Sequence, residues 1–230
     1  MLPPVTLARR LASEALGTAL LVAAVVGSGI MGERLAGGNK AVALLANTLA
    51  TGAALFAIIL ILTPISGAHL NPVVSIAAAF EGQLAWRDVP LYVAVQVGGG
   101  ILGVALANAM FDVPVWHASQ HVREGPAQLL SEAVATFGLL ATIWACSRRR
   151  PSAVPPAVAA YIMAAYWVTA STSFANPAVT LARSMTDTFA GIRPTDVPLF
   201  VAAQAVGAAV ATLLCRWLVP ALPEGKGEAS

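Results

Sequence analysis

Gly67-Ala68-His69-Leu70-Asn71-Pro72-Val73-Val74 and Thr172-Ser173-Phe174-Ala175-Asn176-Pro177-Ala178-Val179 are the two stretches whose reading decides the fold. Each places Asn-Pro at the head of a short apolar run, and each run lies between long hydrophobic segments. Proline is tolerated at the first helical position, where its missing N–H would be unbonded anyway, and Asn is a preferred N-cap. Each Asn-Pro therefore predicts a helix start. About ten residues follow before Glu81 in the first copy and before Asp187 in the second. At 1.5 Å rise each helix is roughly 15 Å long, and two end to end match a hydrocarbon core of about 30 Å. The prediction is a pair of half-helices that enter from opposite faces and meet near the midplane. Irregular backbone at that depth is allowed only where protein buries it or water lines it. Two helix ends and two Asn amides would then converge on one passage. The competing reading is two ordinary Asn-capped loops, and the placement of the pair inside a repeat argues against it.

Composition sets the solvent. Of 230 residues, 58% are hydrophobic and 10% charged, against about 25% charged in soluble domains. This describes a membrane protein, a single domain over residues 1–230. The net charge of +2 carries no nucleic-acid signal, because the basic residues fall between apolar segments. Cys146 and Cys215 both lie in or near apolar segments and suggest neither a disulfide framework nor a metal site. Arg9 and Arg10 precede an apolar run in the manner of a signal peptide. That run continues to about Ile30 without a small-residue cleavage signature, so it reads as a retained first span. Six segments are long enough to cross, at roughly 9–31, 41–63, 89–111, 127–147, 154–172 and 197–219. The tail from Pro220 to Ser230 is rich in Gly and charge and reads as mobile.

The halves repeat, over about 8–111 and 126–219. Ser13-Glu14-Ala15 matches Ser131-Glu132-Ala133, and Asp88-Val89-Pro90-Leu91-Tyr92-Val93-Ala94-Val95-Gln96 matches Asp196-Val197-Pro198-Leu199-Phe200-Val201-Ala202-Ala203-Gln204. Three spans per repeat is an odd number, so the second copy must be inverted. The expected fold is an all-α membrane protein, with six transmembrane helices and two re-entrant half-helices in an inverted 3+3 repeat. Orientation follows from Lys and Arg. With a cytoplasmic N-terminus, Arg9, Arg10, Arg87, Arg148, Arg149, Arg150, Arg216 and Lys226 lie inside, and Arg34, Lys40, Arg123 and Arg193 outside. Eight against four places both termini in the cytoplasm.

The double Asn-Pro motif in inverted halves resembles the signature loops of the aquaporin, or major intrinsic protein, family, and the resemblance covers nearly the whole chain. It implies a homotetramer in the inner (plasma) membrane with one pore per subunit, in contact with lipid and no nucleic acid. Each pore would pass water or small uncharged solutes and exclude protons, with no cofactor. The first motif departs from the family's Asn-Pro-Ala by reading Asn71-Pro72-Val73. The usual filter Arg, three residues after the second Asn, is replaced by Val179. By family spacing the other filter positions fall at Thr51, Ala164 and Ser173. The run Ser173 to Ile192 is similar to a bacterial aquaglyceroporin-like subgroup associated with arsenic resistance, which conducts uncharged metalloid hydroxides such as arsenite. A filter of small residues leaves room for glycerol-sized polyols as well.

Asn176, Val179 and Arg183 share one helical face at i, i+3 and i+7. Arg183 is therefore expected at the outer mouth, and the competing reading pairs it with Asp187 on the surface. Glu14 and Glu132 are acids within spans, which are costly and usually have a role. A proton relay is one reading. The repeat symmetry favours the other, in which they brace the loops by accepting backbone N–H bonds, with Gln96 and Gln204 as a second symmetric pair of braces. His69 reads as a pore-side hydrogen-bonding residue. His117 and His121 read as solvated loop residues, with metal binding the alternative. Gly99, Gly103 and Gly207, with Gly27 and Gly52, suit close helix crossings. An inverted-repeat secondary transporter is the rival function, and would need a coupling-ion site and a moving repeat. An intramembrane enzyme is disfavoured: the chain has no Gly-x-Ser-Gly motif, no paired catalytic Asp and no zinc-ligand pair on a helix.

Overall fold

The computed structural model describes residues 5–220, so Lys226 and the tail beyond Pro220 lie outside the described residues. Eight α-helices carry the fold: α1 Leu7–Leu35, α2 Lys40–Ser66, α3 Pro72–Phe80, α4 Val89–Met110, α5 Pro126–Arg149, α6 Val154–Val168, α7 Pro177–Arg183 and α8 Val197–Leu218. No strand occurs among the described residues. Caps begin the helices where the sequence offers them: the Thr6 hydroxyl accepts from Arg9 N, and the Asn39 side chain from Ala41 N and Val42 N. Single 3-10 turns, Trp86–Asp88 and Pro194–Asp196, lead into α4 and α8 at matching places in the two repeats.

The packing repeats as the sequence does. Helix α1 lies along α4 and α2, and α5 lies along α8 and α6. Half-helices α3 and α7 each pack on both α4 and α8, and touch each other. The α1–α4 and α5–α8 crossings are backbone to backbone. A Cβ on Gly99 would sit 2.3 Å from the Ala15 carbonyl oxygen, and one on Gly207 2.2 Å from that of Ala133. Small residues are what let helices approach this closely when hydrophobicity no longer drives association.

One face of the bundle joins the start of α1 to the start of α4 through Arg10 and Asp88 at 2.9 Å. On that face Arg148, at the end of α5, pairs with Glu81 at the end of α3 and donates to the Cys215 and Val219 carbonyls at the end of α8. The opposite face holds the ends of α1 and α4, where Arg34 donates to the Phe111 carbonyl, and the long loop into α5. Large apolar side chains such as Leu16, Leu49, Leu213 and Trp217 are exposed on the sides of the bundle. A soluble monomer rarely carries so many, whereas lipid covers them without cost.

Two boundaries differ from expectation. Helix α6 stops at Val168, not near residue 172, because Thr169 turns extended and its hydroxyl bonds the Ala165 carbonyl. It is thus shorter than the five helices that are long and apolar enough to cross by themselves, and it is extended at its start by the 3-10 turn Pro151–Ala153. Helix α7 ends at Arg183, four residues before Asp187, where Ser184 caps the Leu181 carbonyl with its hydroxyl.

A valine at Gly207 would force α5 and α8 apart. Gly207→Val is expected to lower the stability of the detergent-purified protein by about 1–3 kcal/mol, read as a fall in melting temperature. An unchanged melting temperature would show that the crossing is looser than its geometry.

Candidate pore and its two re-entrant loops

Each Asn-Pro works locally as a cap. Asn71 Oδ1 accepts from Val73 N at 3.1 Å, and Asn176 Oδ1 from Ala178 N at 3.0 Å and Val179 N at 3.3 Å. Pro72 and Pro177 are the first helical residues. Val73 packs toward α8 and Ala178 toward α4. The other end of each amide reaches across the repeat. Asn71 Nδ2 donates to the Ala175 carbonyl at 2.8 Å, and Asn176 Nδ2 to the Leu70 carbonyl at 2.7 Å. Each Asn thus holds the residue that precedes its counterpart, and each amide keeps a second N–H.

The segments before the two Asn are not helical and are strained. Ala68 and Leu70 in the first, and Thr172, Ser173 and Ala175 in the second, have positive φ between 48° and 60°, a conformation that costs a non-glycine residue roughly 1–2 kcal/mol. Buried carboxylates hold them there. Glu14 accepts from His69 N at 2.9 Å, Leu70 N at 2.6 Å, Ser66 Oγ at 2.7 Å and Gln96 Nε2 at 2.8 Å. Glu132 accepts from Phe174 N and Ala175 N, both at 2.9 Å, and from Gln204 Nε2 at 2.6 Å. Gln96 also donates to Ser75 Oγ, and Gln204 to Thr180 Oγ1. In a trans peptide the carbonyl opposes the N–H. The carbonyls of Ala68, His69, Ser173 and Phe174 are therefore turned away from the carboxylates, toward the side where these residues line a cavity.

That cavity has a volume of about 280 Å³. Its wall includes Gln83, Ser147 and Pro151 toward the face of the chain termini, and Tyr166 and Arg183 toward the other, with Asn71 and Asn176 between. His69 is on the wall, its Nδ1 3.1 Å from Ser75 Oγ and its ring 5.5 Å from that of Tyr92. Thr51, Ser173 and Val179 also line it.

Ala164 does not. It is exposed on α6, and Tyr166 of the same helix lines the wall instead, buried with its hydroxyl 3.3 Å from Thr51 Oγ1. Helix α6 turns the stripe Val154, Val158, Ile162 and Tyr166 inward, at steps of four, and residue 164 falls on the opposite face. The stripe is visible in the sequence, and counting from the loop is what missed it. Arg183 is 2% exposed and lines the cavity, and its Nε donates to the Ala190 carbonyl. The surface pair with Asp187 does not form; Asp187 accepts from Gln120 N at 2.8 Å instead. His117 N and Arg193 N pair with the carbonyls of Met185 and His121, which stitches the α4–α5 loop to the segment after α7.

Two further residues had no signal in the spacing. The Phe174 ring lies 3.4 Å from the Arg183 guanidinium carbon and 4.9 Å from that of Arg123, and packs edge-on against Phe200. Arg123 comes from the α4–α5 loop. Burial pushes its pKa down to about 10, which leaves it charged at neutral pH. Among the described residues neither the Arg123 nor the Arg183 guanidinium has a carboxylate partner.

Two inverted halves, meeting at paired Asn caps beside a cavity that reaches toward both faces, define a membrane channel. The chain belongs to the major intrinsic protein family, whose model matches residues 1–170. The aquaglyceroporin AqpS of Rhizobium meliloti (strain 1021) is 59% identical over 218 residues, 94% of this chain and 93% of its own length. The glycerol uptake facilitator protein of Bacillus subtilis (strain 168) is 37% identical over 94 residues, 35% of this chain and 34% of its own. Among solved structures, the aquaglyceroporin from Plasmodium falciparum matches with a TM-score of 0.73 at 20% identity, over 93% of this chain and 97% of that one, which shows the shared fold. The protein is a multi-pass membrane channel for small uncharged solutes.

Glu132→Gln replaces an acceptor-only group by one with a single acceptor oxygen, facing three donors. Hydrogen bonds to a charged group contribute about 1.5–3 kcal/mol. The variant is expected to melt earlier by a comparable amount and to lose permeation, while Glu33→Gln, on the exposed end of α1, leaves both unchanged. Normal melting and flux for Glu132→Gln would show that the loop holds without the carboxylate.

Proposed function

We propose that the pore passes water and glycerol-sized polyols, with arsenite and related uncharged metalloid hydroxides as further solutes. One observation carries this reading: Val179, an apolar side chain, lines the cavity at the level where the family resemblance leads one to expect an Arg. Opposite chemistry comes from Thr51, Tyr166 and Ser173 on the same wall. A passage lined by both hydroxyls and hydrocarbon suits a molecule that is itself half hydroxyl and half CH. The second N–H of each Asn amide can donate to a passing hydroxyl, and the loop carbonyls can accept from it. The high identity to a protein named as an aquaglyceroporin supports the polyol, and the resemblance to the arsenic-associated subgroup supports the metalloid.

Arg183, one turn beyond Val179, then supplies the positive charge that opposes cations at the outer mouth, with the Asn pair and the helix ends behind it acting at the centre. Glu14, Glu132, Gln96 and Gln204 act as loop braces and not as a proton relay, since the donors around the two carboxylates occupy both oxygens of each. With those acids committed, a transporter has, among the described residues, no free carboxylate in the core for a coupling ion. The excess of Lys and Arg on the terminal face supports cytoplasmic termini in the plasma membrane, and the family supports a homotetramer with one pore per subunit. Chemistry beyond passage is not part of this reading.

Proteoliposomes answer these points. In stopped-flow swelling, water, glycerol and arsenite are all expected to enter faster than through protein-free vesicles, without saturation and without an ion gradient. Val179→Arg should cut glycerol entry at least about tenfold by filling the passage, and water less. Glycerol entry that is unchanged by Val179→Arg, or gradient-dependent in the parent protein, would defeat the filter assignment or the channel reading respectively. Arg183→Ala is expected to raise the cation leak, and a leak equal to that of the parent would remove Arg183 from the mouth.

A further inference from the structure

Arg123 belongs to neither half-helix, yet it is bonded to both segments that flank α7. Its backbone N–H donates to Asp196 Oδ2 at 2.8 Å, which fixes the loop at the head of α8. Its side chain spans two segments. Nε donates to the Gly191 carbonyl at 2.8 Å and Nη1 to the Ser171 carbonyl at 3.0 Å. Ser171 lies on the loop that descends into α7, and Gly191 on the segment that leaves it. The remaining surface of the guanidinium lies over Phe174, the ring that also carries Arg183. Burying a guanidinium against carbonyls and a ring alone is costly, and bulk packing would be met more cheaply by an apolar side chain. The first repeat is built differently: Arg10 lies over the Tyr92 ring at 5.9 Å but is paired with the Asp88 carboxylate at 2.9 Å. The spacing that relates Asn71 to Asn176 maps Phe174 onto His69, whose ring meets Tyr92 and Ser75 and, among the described residues, stacks with no guanidinium.

We infer that Arg123 is a positioning residue for selectivity: it ties together the two segments flanking α7 and backs the Phe174 ring, so that Arg183 is held with its charge toward the lumen. The charge missing at Val179 is thus restored from one turn away, and the α4–α5 loop keeps it in register. This inference rests on Arg183 being the cation barrier.

The test reads the ratio of proton leak to water permeability in proteoliposomes. Leak is driven by a potassium diffusion potential and followed with an internal pH dye. The ratio cancels losses of folded protein, which a merely structural role would produce. Arg123→Gln is expected to raise it about tenfold, in keeping with loss of a buried cation–π contact and its bonds. In an Arg183→Gln background the same change should add less than about twofold, because one residue acts through the other. Phe174→Leu keeps both charges and removes the ring they share, and should leak as Arg123→Gln does. Arg123→Lys should leak too, since a point charge cannot span both carbonyls. Equal increments in both backgrounds, full rescue by Lys, or a tight Arg123→Gln beside a leaky Arg183→Gln would each overturn the inference alone. A tight Arg183→Gln would remove the reading beneath it.

Discussion

The structure depends on two carboxylates taken out of water and filled with backbone N–H groups. A bilayer has no solvent for irregular backbone, and the pore requires irregular backbone at its centre. Glu14 and Glu132 resolve this conflict. Each gathers two consecutive N–H groups of its loop and a Gln amide. Those bonds hold a run of left-handed residues that would otherwise relax. The same bonds determine what the pore looks like to a solute, because an N–H fixed to one side turns its carbonyl to the other. Loop shape and lumen chemistry are one decision, made by a side chain that touches no solute.

Helix packing serves that arrangement. The carboxylates reach the loops because α1 and α5 cross α4 and α8 at glycines, with no side chain between. Gln96 and Gln204 come from the same two helices, α4 and α8, a few residues before those glycines. Crossing and brace are therefore set by one short stretch in each repeat. That stretch begins at the last residue of the part of the sequence in which the two halves match almost residue for residue.

Much of this was legible in the sequence because it is local or repeated. Asn-Pro encodes a cap and a helix start by itself. The Glu and Gln pairs announced themselves by recurring at matching places, and a carboxylate inside an apolar run needs donors. What was not legible depends on where a helix stops and which way it faces. The end of α6 at Val168 follows from Thr169 bonding back to Ala165, a choice that a Thr in another context would not make. Counting from the loop then put Ala164 on the wall in place of Tyr166. Arg183 lines the cavity with Asn176 and Val179, whose helical face it shares by spacing, but its partner could not be read. Asp187 is the right charge at helical spacing, yet the helix ends before reaching it. Phe174 and Arg123 lay beyond sequence reasoning because their meeting is tertiary: one is in the re-entrant loop, the other in a connection some fifty residues earlier.

The reciprocal Asn bonds bear on how the molecule is made. A ribosome delivers the first half before the second, and until Ala175 arrives Asn71 has no cross-repeat acceptor, just as the Leu70 carbonyl has no donor. Neither half can therefore complete its own centre alone. The first half-helix stays unfinished until the second is made, and biogenesis of the pore becomes a joining reaction between two parts of one chain.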